Sequence, residues 1–361
     1  MAVRAILVLL VAAACGGGRE GAPAAAAPPA PPPAGTERLL AMLPQGAQIV
    51  VEVDLARLRG NPVIGAVVSR TLTEPAGPAA GATPAAAWLR GVLHGPPPAG
   101  AAQPPAPTES PLAVADQVVL AAYGVGTADA ATLTLLAAPR EVPGATRIAD
   151  GAYAVGPPEW VEQAEQRVAL ATTGEARFAI QAAPELLALR GHAMPAAAPG
   201  AALRITARLA FDARIALARQ TGIDTPPAQL SAWGDVADDV ALVIDCDAAD
   251  PGSAPAGRTT GASAGGRRGD PTRRLAGSLR ALLDTIADQP TIRALGLPPS
   301  LTGARVIARG TWVRAIIAVG PEHLRRVAER AAGLLAAPPA APPSASPEPP
   351  VSPDSRGAPP S

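Results

Sequence analysis

Short runs of alternating apolar and polar residues predict strands, and two of these runs lead directly into a predicted helix. Residues 49–54 are rich in Val and end at Asp54, which predicts a strand followed by a helix with Asp54 as its N-cap. Residues 203–215 show the same pattern, with Asp212 in the capping position. Residues 272–286 follow the helical period and place five apolar side chains on one face, namely Leu275, Leu279, Leu282, Leu283 and Ile286.

Two predicted β-hairpins each precede a helix. Residues 147–155 contain an Asp-Gly dipeptide, which suits a two-residue turn, and the Gly-Pro-Pro sequence at 156–158 then opens a helix. Residues 305–317 form the second hairpin with a turn at Gly310, and Gly-Pro at 320–321 opens the helix that follows it.

The order of these elements suggests an internal duplication, because similar segments recur in the same sequence along the chain. We therefore predict the α+β class, with two tandem repeat units of antiparallel sheet and helices packed on one face of each. The first unit covers residues 37–198 and the second covers residues 199–337. The matched segments are 49–58 with 203–215, 114–120 with 236–242, and 147–160 with 305–324.

Segments dominated by Ala, Pro, Gly and Ser separate the periodic blocks. Such segments lack the apolar side chains needed to offset the entropy lost on ordering, so they are predicted to be disordered. They comprise a tether at 15–36, an insert in the first unit at 74–110, an insert in the second unit at 251–270, and a Pro-rich tail at 338–361.

The N-terminus carries the features of a bacterial export signal. Arg4 precedes an apolar run of about ten residues, which is too short to span a bilayer, and residues 1–14 are predicted to be a signal peptide. The small residues directly before Cys15 resemble the lipobox of bacterial lipoproteins, although Ala12 stands where Leu is usual. The resemblance implies that Cys15 is lipidated and becomes the mature N-terminus. The alternative is ordinary signal cleavage nearby, with Cys15 incidental. Gly16 follows the cysteine, where Asp is associated with inner-membrane retention, so we expect an outer-membrane anchor, facing either the periplasm or the cell surface.

Charge and composition exclude several function classes. The chain has 30 basic residues, all of them Arg, and 30 acidic residues, so its net charge is zero. This balance argues against nucleic-acid binding, which needs a basic surface. Two cysteines cannot build a disulfide framework, and none of the three histidines has a companion at metal-ligand spacing. We predict no metal site and no cofactor.

The candidate catalytic and binding motifs are weak. Residues 261–265 fit the G-x-S-x-G pattern, but they lie in a linker without the strand and helix that this motif requires. Cys246 lies in an apolar strand and is interpreted as an inert thiol; whether it is buried stays open. Arg residues of the last helix could face phosphates or lipid headgroups, although a solvated helix face is the simpler interpretation; they are Arg325, Arg326 and Arg330.

An acidic cluster in the second unit could offer oxygen ligands to Ca²⁺. It lacks the Gly and terminal Glu of an EF-hand loop, so we interpret its members as strand ends and turn caps. They are Asp235, Asp238, Asp239, Asp245, Asp247 and Asp250. No catalytic residue is predicted, and the chain is predicted not to be an enzyme.

Residues 43–59 contain a Leu-Pro turn, a strand and an Asp-led helix, and this opening resembles that of uncharacterised bacterial exported proteins and lipoproteins. Members of that group often contain two α+β units, but the resemblance implies no activity or ligand.

The sequence thus predicts a non-enzymatic, lipid-anchored cell-envelope protein with a structural or interaction role. Its expected partners are membrane lipid through acylated Cys15 and either another envelope protein or an apolar ligand. The alternative is a periplasmic carrier for an apolar ligand, which would need a continuous apolar cavity.

Overall fold

The structure of the protein, a computed structural model, describes residues 35–73, 111–172, 184–194, 200–221, 223, 226–248 and 270–336. Several predictions concern residues outside these ranges: the signal peptide at 1–14, Cys15 and the tether up to residue 34, the insert at 74–110, the insert at 251–270 up to residue 269, and the tail at 338–361.

Within the described ranges, ten strands form one continuous antiparallel sheet in the order β4-β5-β3-β2-β1-β6-β7-β8-β10-β9. The strands are β1 (Ile49–Asp54), β2 (Gln117–Tyr123), β3 (Ala131–Ala137), β4 (Thr146–Ala149), β5 (Ala152–Val155), β6 (Leu203–Arg208), β7 (Gln229–Val236), β8 (Val240–Asp247), β9 (Arg305–Arg309) and β10 (Trp312–Val319). The first strands of the two predicted units, β1 and β6, meet at the centre of the sheet, where Val51 of β1 lies between Leu120 of β2 and Ile205 of β6.

Helices connect and cover these strands. They are α1 (Gly35–Met42), α2 (Leu55–Arg59), α3 (Gly65–Thr73), α4 (Pro111–Val114), α5 (Pro158–Thr172), α6 (Pro184–Arg190), α7 (Phe211–Thr221), α8 (Pro271–Ala287), α9 (Pro290–Leu295), α10 (Pro298–Thr302) and α11 (Pro321–Ala336). In this part of the chain, no helix is long and apolar enough to cross a membrane.

The α+β class is confirmed, and so are most of the local elements. Both hairpins form, with turns at Gly151 and Gly310, whose φ angles of 63° and 58° suit glycine. The predicted amphipathic helix is α8, which buries Leu275, Leu279, Leu283 and Ile286.

Of the two predicted N-caps, one is confirmed and one is wrong. The Asp54 carboxylate accepts a hydrogen bond from the backbone N–H of Arg57 at 2.8 Å and caps α2. Helix α7 instead begins at Phe211, one residue before Asp212, so Asp212 lies inside the first turn. A negative side chain there faces the positive end of the helix dipole without occupying the capping position.

Helices pack on both faces of the sheet, whereas the sequence predicted helices on one face. We call the two sides the Val51 face and the Glu52 face, after neighbouring residues of β1. The Val51 face is covered by α2 and α4 over the first half and by α8 to α11 over the second, while α1 and α5 cover the first half of the Glu52 face. The physical reason is visible in β2, where residues 118–121 are all buried. A continuous apolar run of this kind needs cover on both sides.

The two halves of the sheet have corresponding strand orders. Outward from the centre, they run β1-β2-β3-β5-β4 and β6-β7-β8-β10-β9. The halves form a single sheet instead of two similar ones, because β1 and β6 pair with each other and neither is left as an exposed edge. This order makes β7 the counterpart of β2, so the predicted match of 114–120 with 236–242 does not join equivalent strands. The helices after the two hairpins also differ, since α5 lies on the Glu52 face and α11 on the Val51 face. The duplication stays a prediction.

Candidate functional site

A charged cleft lies at the centre of the sheet on the Glu52 face, and we call it the central cleft. It has a volume of about 190 Å³. Segments from α1, β1, α2, β2, α6 and β6 converge on it, so residues far apart in sequence meet there. Its lining residues are Thr36, Glu37, Glu52, Val53, Asp54, Arg57, Gln117, Arg190, Gly200, Ala201 and Arg204.

A buried ion pair forms the floor of the central cleft. Arg190 donates from Nε to Glu52 Oε1 at 2.6 Å and from Nη2 to Glu52 Oε2 at 2.7 Å, so both carboxylate oxygens are engaged. Arg190 Nη2 also donates to Glu37 at 2.6 Å. Burial by itself would lower the pKa of Arg190, but the hydrogen bonds and charges of Glu52 and Glu37 outweigh burial and raise it. The guanidinium is therefore fixed between two carboxylates.

Two buried polar atoms of the central cleft have no hydrogen-bond partner among the described residues. They are Arg204 Nε, a donor, and Gln117 Oε1, an acceptor. Burial and the nearby charge of Arg190 lower the pKa of Arg204. Because buried polar groups are costly when unpaired, these atoms suit a water or a small polar group that can both accept and donate.

The rim of the central cleft is held by a second ion pair. Arg57 Nη2 donates to Asp235 Oδ2 at 2.6 Å, which joins α2 to β7 across the centre of the sheet. The Arg57 side chain lies against Gly200, where a Cβ atom would come within 2.7 Å of Nη1. Glycine at this position therefore makes room for the guanidinium.

A separate cluster lies further along the Glu52 face, on β8 and β10. The Asp245 carboxylate is 1 % exposed and accepts from Arg314 Nε at 2.7 Å and Nη2 at 2.6 Å. His192 donates from Nδ1 to Asp245 Oδ2 at 2.8 Å, and its ring stacks on Trp312 with centroids 3.9 Å apart. Hydrogen bonds to Asp245 and its charge raise the pKa of Arg314 in spite of burial.

Both clusters hold the same short segment on the sheet. Residues 184–194, comprising α6 and the turn after it, carry Arg190 at one cluster and His192 at the other, and we call this segment the strap. Next to His192, the backbone N–H of Ala193 donates to Ser231 Oγ at 3.2 Å, and Ala193 packs against Trp233. The ion pairs therefore position the strap across β1, β6, β7 and β8.

Most of the residues singled out in the sequence lie outside both clusters, although the predicted N-cap Asp54 lines the central cleft. Asp235 and Asp245 of the acidic cluster are ion-paired with arginines, and Asp250 lies outside the described residues. No group of three or more His, Cys, Asp or Glu side chains that could hold a metal ion occurs in the described ranges. Cys246 is buried on the opposite face, and burial raises its pKa to about 12. Cys15 and residues 261–265 lie outside the described part of the chain.

Sequence reasoning missed the charged clusters because the ion-paired side chains are 53 to 178 residues apart. One local indication was present: Glu52 interrupts the apolar run of β1, and Asp245 interrupts that of β8. A carboxylate within a buried strand requires a partner, because an unpaired buried charge is strongly unfavourable. The identity of that partner is not encoded locally.

Comparison with known proteins gives little further information. No protein-family model and no curated protein matches the chain. One similar solved structure, titled "Structure of crystal form I of TP0453", has 8 % identity and a TM-score of 0.32, and the match covers 81 % of this chain and 96 % of that one. Another, titled "Structure of crystal form III of TP0453", has 6 % identity and a TM-score of 0.35, covering 81 % and 97 %. Likeness at this level identifies no function.

Proposed function

We propose that this chain is a non-enzymatic, lipid-anchored cell-envelope protein whose folded body has a structural or interaction role. The anchor is Cys15, and the membrane partner is the lipid into which its acyl chains insert. Support for the anchor comes from the sequence, in which a basic residue, a short apolar run and small residues precede the cysteine.

One observation about the body favours a structural role over catalysis. In the described part of the chain, the buried carboxylates of the Glu52 face are those of Glu52 and Asp245, and each has both oxygens bound by an arginine. A general base needs a carboxylate or imidazole placed to take a proton from a substrate. These carboxylates instead hold the strap on the sheet, which is a positioning function within the fold.

The carrier alternative has no comparable support. A carrier for an apolar ligand needs an apolar cavity, whereas the central cleft is lined mainly by charged side chains. We therefore keep the structural or interaction role as the proposal.

The experiment that tests the anchor compares Cys15→Ser with Cys246→Ala in cells grown with radioactive palmitate. We expect the unmodified chain and the Cys246→Ala variant to be labelled and to sediment with the outer membrane. The Cys15→Ser variant should remain an unprocessed, unlabelled precursor, because the acylated residue is absent. Cys246→Ala is the matched control, since it removes the other cysteine of the chain.

Palmitate labelling that persists in Cys15→Ser would overturn the proposed anchor. Normal processing of that variant to a soluble, unlabelled product would indicate ordinary signal cleavage with Cys15 incidental, and would equally overturn it.

A further inference from the structure

We propose that a second cleft, formed by α9, α10 and α11, binds a ligand that carries a phosphate group. We call it the cationic cleft. It has a volume of about 530 Å³ and is lined by Arg293, Gly296, Pro298, Pro299, His323, Arg326 and Arg330. Three of these residues are Arg, a fourth is His323 and none is acidic, although the chain as a whole has zero net charge. The positive charge is therefore concentrated by the fold.

The positive charges of two of these arginines, Arg326 and Arg330, have no acidic partner in the described residues. Arg326 and Arg330 lie one turn apart on α11, where like charges repel each other. Glu322 and Glu329 lie on the same helix, but in the described residues neither forms an ion pair with these arginines. In the described residues, Arg326 makes no hydrogen bond or ion pair, and Arg330 donates only to the Leu295 carbonyl, at 3.4 Å. Arg293 differs, because it is paired with Asp288. An anion between Arg326 and Arg330 would relieve their repulsion.

The floor of the cationic cleft is fixed by the C-terminal end of α9. Gly296 ends this helix with a φ of 77°, and a Cβ at this position would overlap the Arg330 guanidinium. The absence of a side chain thus allows Arg330 to lie over the helix end. His323 donates from Nε2 to the Gly296 carbonyl at 2.7 Å, and Ser300 Oγ lies 3.4 Å from His323 Nδ1. These contacts hold the imidazole ring in one orientation.

The chemistry of the lining defines the ligand class. Planar guanidinium groups bind phosphate oxygens through two parallel hydrogen bonds, and they are preferred for this purpose in proteins. The volume is within the range of small-molecule sites and exceeds that of inorganic phosphate alone. A phosphate ester with an attached organic group fits these properties. Such a group is found both in soluble phosphate esters and in phospholipid headgroups.

The test uses the full chain carrying Cys15→Ser, so that acyl chains do not contribute to binding. Every further variant is made in this same chain, so that the uncleaved N-terminal segment contributes equally to each measurement. Calorimetry with glycerol 3-phosphate measures binding of a soluble ester. Co-sedimentation with vesicles of phosphatidylglycerol and phosphatidylcholine, against vesicles of phosphatidylcholine alone, measures binding of an anionic headgroup. Binding of glycerol 3-phosphate would identify a soluble phosphate ester as the ligand. Binding confined to phosphatidylglycerol vesicles would identify a phospholipid headgroup.

The variants distinguish a specific site from general electrostatic attraction. Arg326→Gln should weaken binding about tenfold, as expected for the loss of a charge-assisted hydrogen bond. Arg325→Gln is the matched control, because it removes the same charge from an exposed neighbour outside the cleft and should change affinity less than about twofold. Gly296→Ala should also weaken binding without removing a charge, since its Cβ displaces Arg330. Circular dichroism establishes that each variant is folded.

The proposal would be overturned if the chain bound neither glycerol 3-phosphate nor the phosphatidylglycerol vesicles. Equal losses in Arg325→Gln and Arg326→Gln would overturn it as well, because they would show diffuse attraction to the surface. Neither result depends on whether Cys15 is lipidated, so this test and that of the anchor are independent.

Discussion

Removal of Arg190 should destabilise the fold strongly, because its guanidinium neutralises a carboxylate at the centre of the sheet. The Arg190 side chain is 12 % exposed and that of Glu52 is 5 % exposed. The substitution Arg190→Met keeps most of the apolar stem and removes both hydrogen bonds to Glu52. Glu52 would then be a buried charge without its hydrogen-bonded partner, and Arg204, which lies opposite Glu52 on β6, would compensate only part of that charge.

The expected loss follows from this burial. Breaking a buried ion pair by removing one partner costs about 3–5 kcal/mol, mostly because the remaining charge is left uncompensated. Glu37 adds little to this loss, since its side chain is 43 % exposed and water can solvate it. With an m-value of about 1–3 kcal/mol/M, the midpoint of urea unfolding should fall by at least roughly 1 M.

Urea unfolding followed by circular dichroism measures this change, with Arg147→Met, Glu52→Leu and the double variant Glu52→Leu, Arg190→Met for comparison. Arg147→Met removes an arginine from the exposed pair with Asp150 and should cost less than about 1 kcal/mol. The double variant Glu52→Leu, Arg190→Met removes both buried charges and should be more stable than Arg190→Met alone, because no unpaired charge remains.

Two results would refute this reasoning. One is a loss in Arg190→Met no greater than that in Arg147→Met. The other is a double variant whose loss equals or exceeds the sum of its two single losses, since that would show no favourable coupling between Glu52 and Arg190.

The remaining predictions concern caps, a tight turn and the buried thiol. Asp54→Ala should lower the free energy of unfolding by about 1 kcal/mol because a true N-cap is lost, and Asp212→Ala should lower it less; equal losses in urea unfolding would contradict the assigned helix start. Gly126→Ala should destabilise the fold more than either, because Gly126 has a φ of 87° and its Cβ would lie 2.7 Å from the backbone of α7; a thermal melt matching that of the unmodified chain would contradict this. Burial raises the pKa of Cys246 to about 12, so in the Cys15→Ser chain iodoacetamide should alkylate it at neutral pH only after unfolding, and rapid labelling of the folded chain would contradict its burial. Above the ordinary thiol pKa, the unfolded chain ionises Cys246 while the folded chain keeps it neutral, so its contribution to stability should decline as the pH rises from about 9 to 12, with urea midpoints across that range as the measure.

The sequence by itself determined the local elements of this protein. Leu275, Leu279 and Leu283 recur with the helical period and identify the buried face of α8, while the Asp-Gly dipeptide identifies the turn between β4 and β5. These features depend on side chains and backbone conformations within a few residues of each other, so local patterns suffice to predict them. The predicted cap at Asp212 was wrong because the helix begins one residue earlier, at Phe211. Helix ends are commonly uncertain by one or two residues.

Only the tertiary structure decided which strands pair, which faces the helices cover and which charges meet. The apolar pattern of β1 and β6 shows that they are strands, but it does not specify that they pair with each other and join the two halves into one sheet. Likewise, Glu52 requires a cation, yet its partner Arg190 lies 138 residues away. Local periodicity records whether a side chain is buried; the group it contacts depends on how distant segments are brought together, because ion pairing acts through space and not along the chain.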